Sequence, residues 1–248
     1  MEKKEQVVWL TINRPEAMNA LNQAADIELD GILEEIGDDV DVRALVLRGA
    51  GGRSFCAGAD LKERQKMNAR EKFIQARHLR FVIDKLENIP VPVIAAIRGY
   101  CLGGGFEMAL ACDFRIATPE STFHFPEMTL GAFPGSGGPV RLCRLIPPQA
   151  AKELLMLAPK ITSAQALACG VLGKVVDDGQ LEAEAEAMCA QLKRCTRVGV
   201  AGVKAIINSI QNHDMRNSFA LSVALREGLE GSAEYVNRID EHFAERKK

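Results

Sequence analysis

Two glutamates in apolar settings are the side chains of this sequence best placed for proton transfer. Glu107 lies in the otherwise apolar run Phe106-Glu107-Met108-Ala109-Leu110-Ala111. Glu127 follows Phe123-His124-Phe125-Pro126 and precedes Met128. Burial disfavours the charged form of a carboxyl group and raises its pKa, which suits acid–base work near neutral pH. Two glycine-bearing turns supply a second kind of chemistry. One is Phe55-Cys56-Ala57-Gly58-Ala59-Asp60-Leu61-Lys62; the other is Gly99-Tyr100-Cys101-Leu102-Gly103-Gly104-Gly105-Phe106-Glu107. In each, small residues leave the backbone bare where a helix is expected to begin. The N–H groups at a helix start are unpaired, and the helix dipole favours negative charge there. Two such groups converging on one point make an oxyanion hole. Tight packing explains either turn alone; the pair, beside two carboxylates, points to catalysis.

Other chemistries find no support. No G-x-G-x-x-G follows a strand, and there is no Walker A, H-E-x-x-H or G-x-S-x-G pattern. His78, His124, His213 and His242 stand alone, each reading as a surface or packing residue, and no metal site is expected. The seven cysteines are odd in number, scattered through apolar stretches and without a C-x-x-C, which argues against a disulfide framework. Reduced thiols in a cytoplasmic setting are the expectation, a mature organellar form being the other possibility. A formal net charge of −2 argues against nucleic acid as the main partner. The longest apolar stretch, Ile89–Ile97, holds two prolines and falls far short of the roughly 20 residues that span a membrane.

The elements that must position these residues alternate. Strands are expected at Val7–Ile12, Arg43–Arg48, Val91–Ile97, Phe114–Ala117, Thr122–Phe125 and Lys174–Val176. Helices are expected at Asn22–Ile36, Asn68–Asn88, Phe106–Ala111, Val140–Leu145, Pro148–Leu157 and Ser163–Ala168. In Asn22–Ile36 the apolar face is read as Ala25, Ile27, Leu29, Ile32, Leu33 and Ile36, and the solvent face as Asp26, Glu28, Asp30, Glu34 and Glu35. From Leu181 onward only helical patterning remains: Leu181–Arg194, Val198–Ile210, Met215–Leu229 and Ser232–Arg246. This is an α/β chain. Its organisation is read as a core over residues 1–195 carrying the site and a helical region over 196–248, which serves either oligomerisation or simple cover of the core.

In order along the chain, Asn13-Arg14-Pro15 with Met18-Asn19-Ala20-Leu21, then Phe55–Lys62, Ile94–Ile97 with Gly99–Glu107, Pro126-Glu127, Leu130-Gly131 and Pro134–Gly138 resemble the enoyl-CoA hydratase/isomerase (crotonase) family. The match covers nearly the whole chain, and Phe55–Arg64 is similar to the methylglutaconyl-CoA hydratase branch. The resemblance implies a spiral of repeated ββα units with a C-terminal α-helical region that builds trimers, or hexamers of stacked trimers. It implies Ala59 and Gly104 as the oxyanion-hole amides and Glu107 and Glu127 as the hydratase pair. It implies a CoA site drawing on Ala57, Ala59, Asp60, Leu61, Lys62 and Gly104, with Phe243 and Arg246 reaching the adenine end, often across a subunit boundary. The implied reaction is water addition to a 2-enoyl-CoA thioester, with no cofactor because coenzyme A is part of the substrate. Δ3–Δ2 isomerisation and other lyase or hydrolase reactions on the same scaffold are the alternatives, and the presence of both glutamates favours hydration. RNA binding is an alternative of another class, against which the acidic early helix argues.

Three residues, at two places, depart from the family pattern. Pro139-Val140 precede Arg141-Leu142 where the family usually has Thr-Gln, and the proline removes an N–H. Arg98 stands where the family more often has Asn or Asp; a surface ion pair is favoured over recognition of an acidic acyl chain.

Overall fold

The computed structural model describes residues 1–210 and 215–245. Ten strands and eleven helices are found among them. The strands are β1 (Glu2–Lys4), β2 (Val7–Ile12), β3 (Ala44–Gly49), β4 (Ser54–Cys56), β5 (Val93–Ile97), β6 (Tyr100–Leu102), β7 (Phe114–Ala117), β8 (Thr122–His124), β9 (Ile161–Thr162) and β10 (Lys174–Val175). The helices are α1 (Gln23–Asp38), α2 (Leu61–Gln65), α3 (Ala69–Asn88), α4 (Gly104–Ala111), α5 (Gly138–Leu145), α6 (Pro148–Lys152), α7 (Ser163–Ala168), α8 (Leu181–Leu192), α9 (Arg197–Ser209), α10 (Met215–Glu230) and α11 (Ala233–Glu245).

The strands form two sheets. The larger runs β1-β2-β3-β5-β7-β10 and is parallel from β2 onward; the smaller runs β4-β6-β8-β9. Each pass of the chain gives one strand to each sheet and then a helix: β3, β4, α2–α3; β5, β6, α4; β7, β8, α5. Repetition of this ββα unit winds the spiral expected from the family resemblance.

Side chains of the central strands β2, β3 and β5 are buried on both faces, as is usual for parallel strands. Val8, Leu10, Leu45, Leu47, Ala95 and Ile97 join the main core with α1 and α3. Val7, Trp9, Ala44, Val46, Ile94 and Ala96 pack with Leu181, Ala185 and Cys189 of α8. Helix starts are chemically marked. Asn22 and Asn68 cap α1 and α3, and Glu71 completes a capping box on α3.

One expectation about α1 is corrected. Asp26 does not face solvent: it is 1% exposed, while Ile27 is 57% exposed. Positions 26, 29, 33 and 36 form the helix stripe turned to the core, and Asp26 falls on it. The short strands β1, β4, β6 and β9 were not anticipated from the sequence; the helix start expected at the end of Phe55–Lys62 is α2.

The C-terminal helices are tied to the core by polar contacts. Lys204 Nζ of α9 donates to Val91 O and to Asp113 Oδ2, and Arg197 donates to Gly37 O. Among the described residues no helix is long and apolar enough to cross a membrane.

Candidate active site

The three parts of the site each follow a strand of the small sheet: Ala57–Asp60 after β4, Gly103–Glu107 after β6, and Pro126–Glu127 after β8. The first is held by a strut. Met18 O accepts from Ala57 N, Leu21 N donates to Gly58 O, and Leu21 O accepts from Asp60 N. Ala59 N lies between these bonds and has no acceptor among the described residues. The strut itself is fixed by Asn19, whose side chain accepts from Arg14 N and donates to Ser54 O and Ala50 O. Met18 and Asn19 both hold positive φ values, 56° each. Asn tolerates that left-handed region better than most residues, and the motif around Met18–Leu21 thus acts as a clamp on the Ala59 turn.

The second part begins at Gly103, with φ 50° and ψ −126°. A Cβ there would stand 2.5 Å from Glu127 Oε1, so a side chain would be strained by the backbone angle and would displace the Glu127 carboxylate. Gly104 N, at the start of α4, likewise has no acceptor among the described residues. A Cβ on Gly58, whose φ is 84°, would stand 2.9 Å from Gly104 N, and one on Gly104 would stand 3.8 Å from Ala59 N. The two free amides are therefore neighbours. At the other end of α4, the buried Arg115 donates to Cys112 O, Ala109 O and Val171 O. A cation there complements the dipole whose positive end lies at Gly104.

Glu107 occupies the first turn of α4 and is 2% exposed. Its Oε1 accepts from Gly138 N at 2.8 Å. Burial pushes its pKa up to about 7; the Gly138 hydrogen bond opposes this and the neighbouring Glu127 charge adds to it. Glu127 sits on a 3-10 turn, Pro126–Leu130, with Oε2 shut off from solvent and without a hydrogen-bond partner among the described residues. Burial raises its pKa also. The rings of Phe106, Phe123 and Phe125 lock the two carboxylate-bearing segments together: Phe106 stacks on Phe125 at 4.5 Å and tilts against Phe123 at 5.3 Å.

Ala57, Ala59, Leu61, Gly104, Glu107 and Glu127 line one cavity of about 400 Å³. It offers two unpaired N–H donors and two carboxyls of raised pKa, the requirements for stabilising a developing oxyanion while protons move. The enoyl-CoA hydratase/isomerase family model matches residues 2–248. The chain belongs to this family. It is 39% identical to a short-chain-enoyl-CoA hydratase of Clostridium acetobutylicum over 224 residues, 89% of this chain and 84% of that one. It is 35% identical to a crotonyl-CoA hydratase of Syntrophomonas wolfei over 250 residues, 98% and 96% of the two chains. The structure of an enoyl-CoA hydratase from Bacillus anthracis superposes with a TM-score of 0.95 at 33% identity, covering 99% of this chain and 95% of that one. The crotonase fold is thus established for this member.

The remaining residues singled out in the sequence are distributed differently. Asp60 does not line the cavity. Its carboxylate caps α2 through Lys62 N and Glu63 N and pairs with Arg14 at 3.0 Å. Lys62 is exposed on the first turn of α2 and also lies outside the cavity wall. Phe243 falls within α11, but its side chain, like Arg246 and His213, is outside the described residues. Arg98 pairs with Asp178 and Glu182 at the surface, as favoured. Sequence reasoning missed Leu79, Phe133 and Ser136 as wall residues, and it missed Gly138 as the donor to Glu107. The glycine run at 135–138 was visible, but nothing in its spacing says which carboxylate its amide meets.

Proposed function

We propose that this family member hydrates a 2-enoyl-CoA thioester to the 3-hydroxyacyl-CoA. The observation that carries the reading is the convergence of the free Ala59 and Gly104 amides with Glu107 and Glu127 in one cavity. The thioester carbonyl oxygen accepts both N–H bonds, and negative charge grows on it as a water oxygen bonds to C3. Glu107 orients and activates the water. Glu127 is the proton-transferring residue, and C2 receives the proton, so one water adds across the double bond. Losing one oxyanion donor typically costs about 3–4 kcal/mol of barrier. Coenzyme A enters as part of the substrate, along Ala57, Ala59, Leu61 and Gly104, with Asp60, Lys62, Phe243 and Arg246 assigned to the same site by family resemblance. The chemistry calls on no further cofactor, because an enolate of a thioester forms readily.

The reading includes a homotrimer or a hexamer of two trimers. Exposed apolar residues on the C-terminal helices, including Val203, Ile207, Phe219 and Val223, support self-association. It includes a cytoplasmic location, which the seven free thiols support.

The test is loss of the conjugated enoyl-thioester absorbance when the protein meets crotonyl-CoA, run beside Glu127→Gln. Rapid loss, reduced at least about 100-fold in the variant, is expected. Binding of crotonyl-CoA without loss of absorbance rejects hydration and moves the reaction to isomerase, lyase or thioesterase chemistry.

A further inference from the structure

The turn at Ser136–Gly138 holds Glu107 from outside its own helix, and something must hold the turn. Gly138 N donates to Glu107 Oε1 at 2.8 Å, and the Ser136 amide also favours the carboxylate. Beneath the turn lies Arg141, on α5, with a side chain only 5% exposed. Its Nη1 donates to Ser136 O at 2.7 Å. The same guanidinium rests against the bare Cα of Gly137, whose φ is 106°. On its other edge, Nε and Nη2 donate to Glu87 Oε2 at 3.0 and 2.7 Å, and Nη2 donates to Asp84 Oδ1 at 2.6 Å. Arg144 adds a longer contact to Glu87, at 3.5 Å. The guanidinium plane is thus fixed from α3 on one side and meets the turn on the other.

We propose that Arg141 is a positioning residue for the acid–base site: through Ser136 O and Gly137 it fixes the turn whose Gly138 amide holds the Glu107 carboxylate. An ion pair serving only to join α3 to α5 has no need of the Ser136 carbonyl or of a glycine that admits the guanidinium. The arrangement acts on Glu107 in two ways. It selects the carboxylate orientation, and it places a buried cation where it favours the ionised form, against the pull of burial and of the Glu127 charge. The charged groups that face this pair are Glu127 from the 126–130 turn, Arg64 of α2 and Lys72 of α3 across the cavity, Arg80, Asp84 and Glu87 from α3, and Arg144 from α5 itself. The proposal rests on Glu107 being the group that activates water.

The test measures crotonyl-CoA hydration from about pH 5.5 to 9 for the wild type, Arg141→Gln, Arg141→Lys and Glu107→Gln, with thermal melts to establish folding. In Arg141→Gln, kcat is expected to fall roughly tenfold or more while KM stays within about threefold. The acidic limb of its kcat/KM profile is expected to move upward by about one pH unit, because Glu107 has lost a cation and its fixed amide. Arg141→Lys keeps the charge but cannot reach Ser136 O and both acids, so it moves the limb in the same direction by less and recovers part of kcat. A limb that stays at the wild-type position in a folded Arg141→Gln overturns the proposal. Where Arg141→Gln does not fold, an unshifted limb with unchanged kcat in Arg141→Lys overturns it. If Glu107→Gln hydrates at the wild-type rate, the reading of the site fails and the proposal falls with it. If Glu107→Gln is inactive while the Arg141 variants are unshifted, the proposal alone fails.

Discussion

Glu107 and Asp26 are both buried carboxyl groups pushed up to about 7 chiefly by loss of solvent, each with a second carboxylate adding to the rise, yet one opens on a cavity and the other does not. Glu107 opens on a cavity, accepts an amide from a neighbouring turn and has a second carboxylate across from it. Asp26 lies in the α1 stripe with Leu29, Leu33 and Ile36, with Oδ1 unpartnered among the described residues and Glu63 adding to its rise. A perturbed pKa marks buried charge, and it marks a site only when a cavity and donors accompany it.

Replacing each carboxyl by its amide separates the two cases. Glu107→Gln keeps an acceptor for Gly138 N and keeps the volume. The expected result is a loss of at least about 100-fold in kcat, with a melting temperature at or above that of the wild type. Steady-state hydration kinetics and a thermal melt on the same preparation check it. Retention of activity would make Glu107 another Asp26.

Asp26→Asn reverses the pattern: activity stays and stability changes. The folded-state pKa is raised, so folding takes up a proton between about pH 4 and 7, and the stability of the wild type falls as pH rises through that window. Above pH 7 the full cost of burying the charge is present. With about 1.4 kcal/mol per pKa unit, the Asn variant is expected to be more stable by roughly 2–4 kcal/mol at pH 8 and little changed near pH 4. Urea denaturation at the two pH values measures this; an equal effect at both would show that Asp26 does not titrate on folding.

The same contrast shows what the sequence could convey. Glu107 and Glu127 stood out because each carries charge in a locally apolar string, a signal independent of tertiary structure. Hydrophobic patterning made several strands and helices legible as well: β2, β7 and α7 run over the residues it indicates. Asp26 was misread because a polar residue on a helix is assigned to solvent by type, whereas its angular position puts it on the core stripe. In the small sheet β8 was anticipated, whereas β4 and β6 were missed because they overlap the two glycine-bearing strings read as turns; they exist because neighbouring passes of the spiral bring them into register. That sheet aligns the three site segments, so the site's members were legible and its assembly was not. The donor to Glu107 and the guanidinium behind it come from residues 31 and 34 positions downstream, a relation only the packed chain creates.

Pro139 gives the smallest expected effect and a sharp check on that last point. It sits between Gly138, whose amide meets Glu107, and Arg141, at a position where it departs from the family pattern and removes an N–H. In the structure it occupies the second position of α5, where a backbone N–H has no intrahelical acceptor and the fixed φ of proline suits the helix. It also lies outside the wall of the active cavity. Pro139→Ala is therefore expected to cost about 0.4–1 kcal/mol of stability, through greater freedom of the unfolded chain. Hydration of crotonyl-CoA should stay within about twofold of wild type, since no transition-state contact is removed. A larger loss of kcat, accompanied by a shift in the acidic limb, would show that the rigidity of the turn depends on proline as well as on Arg141.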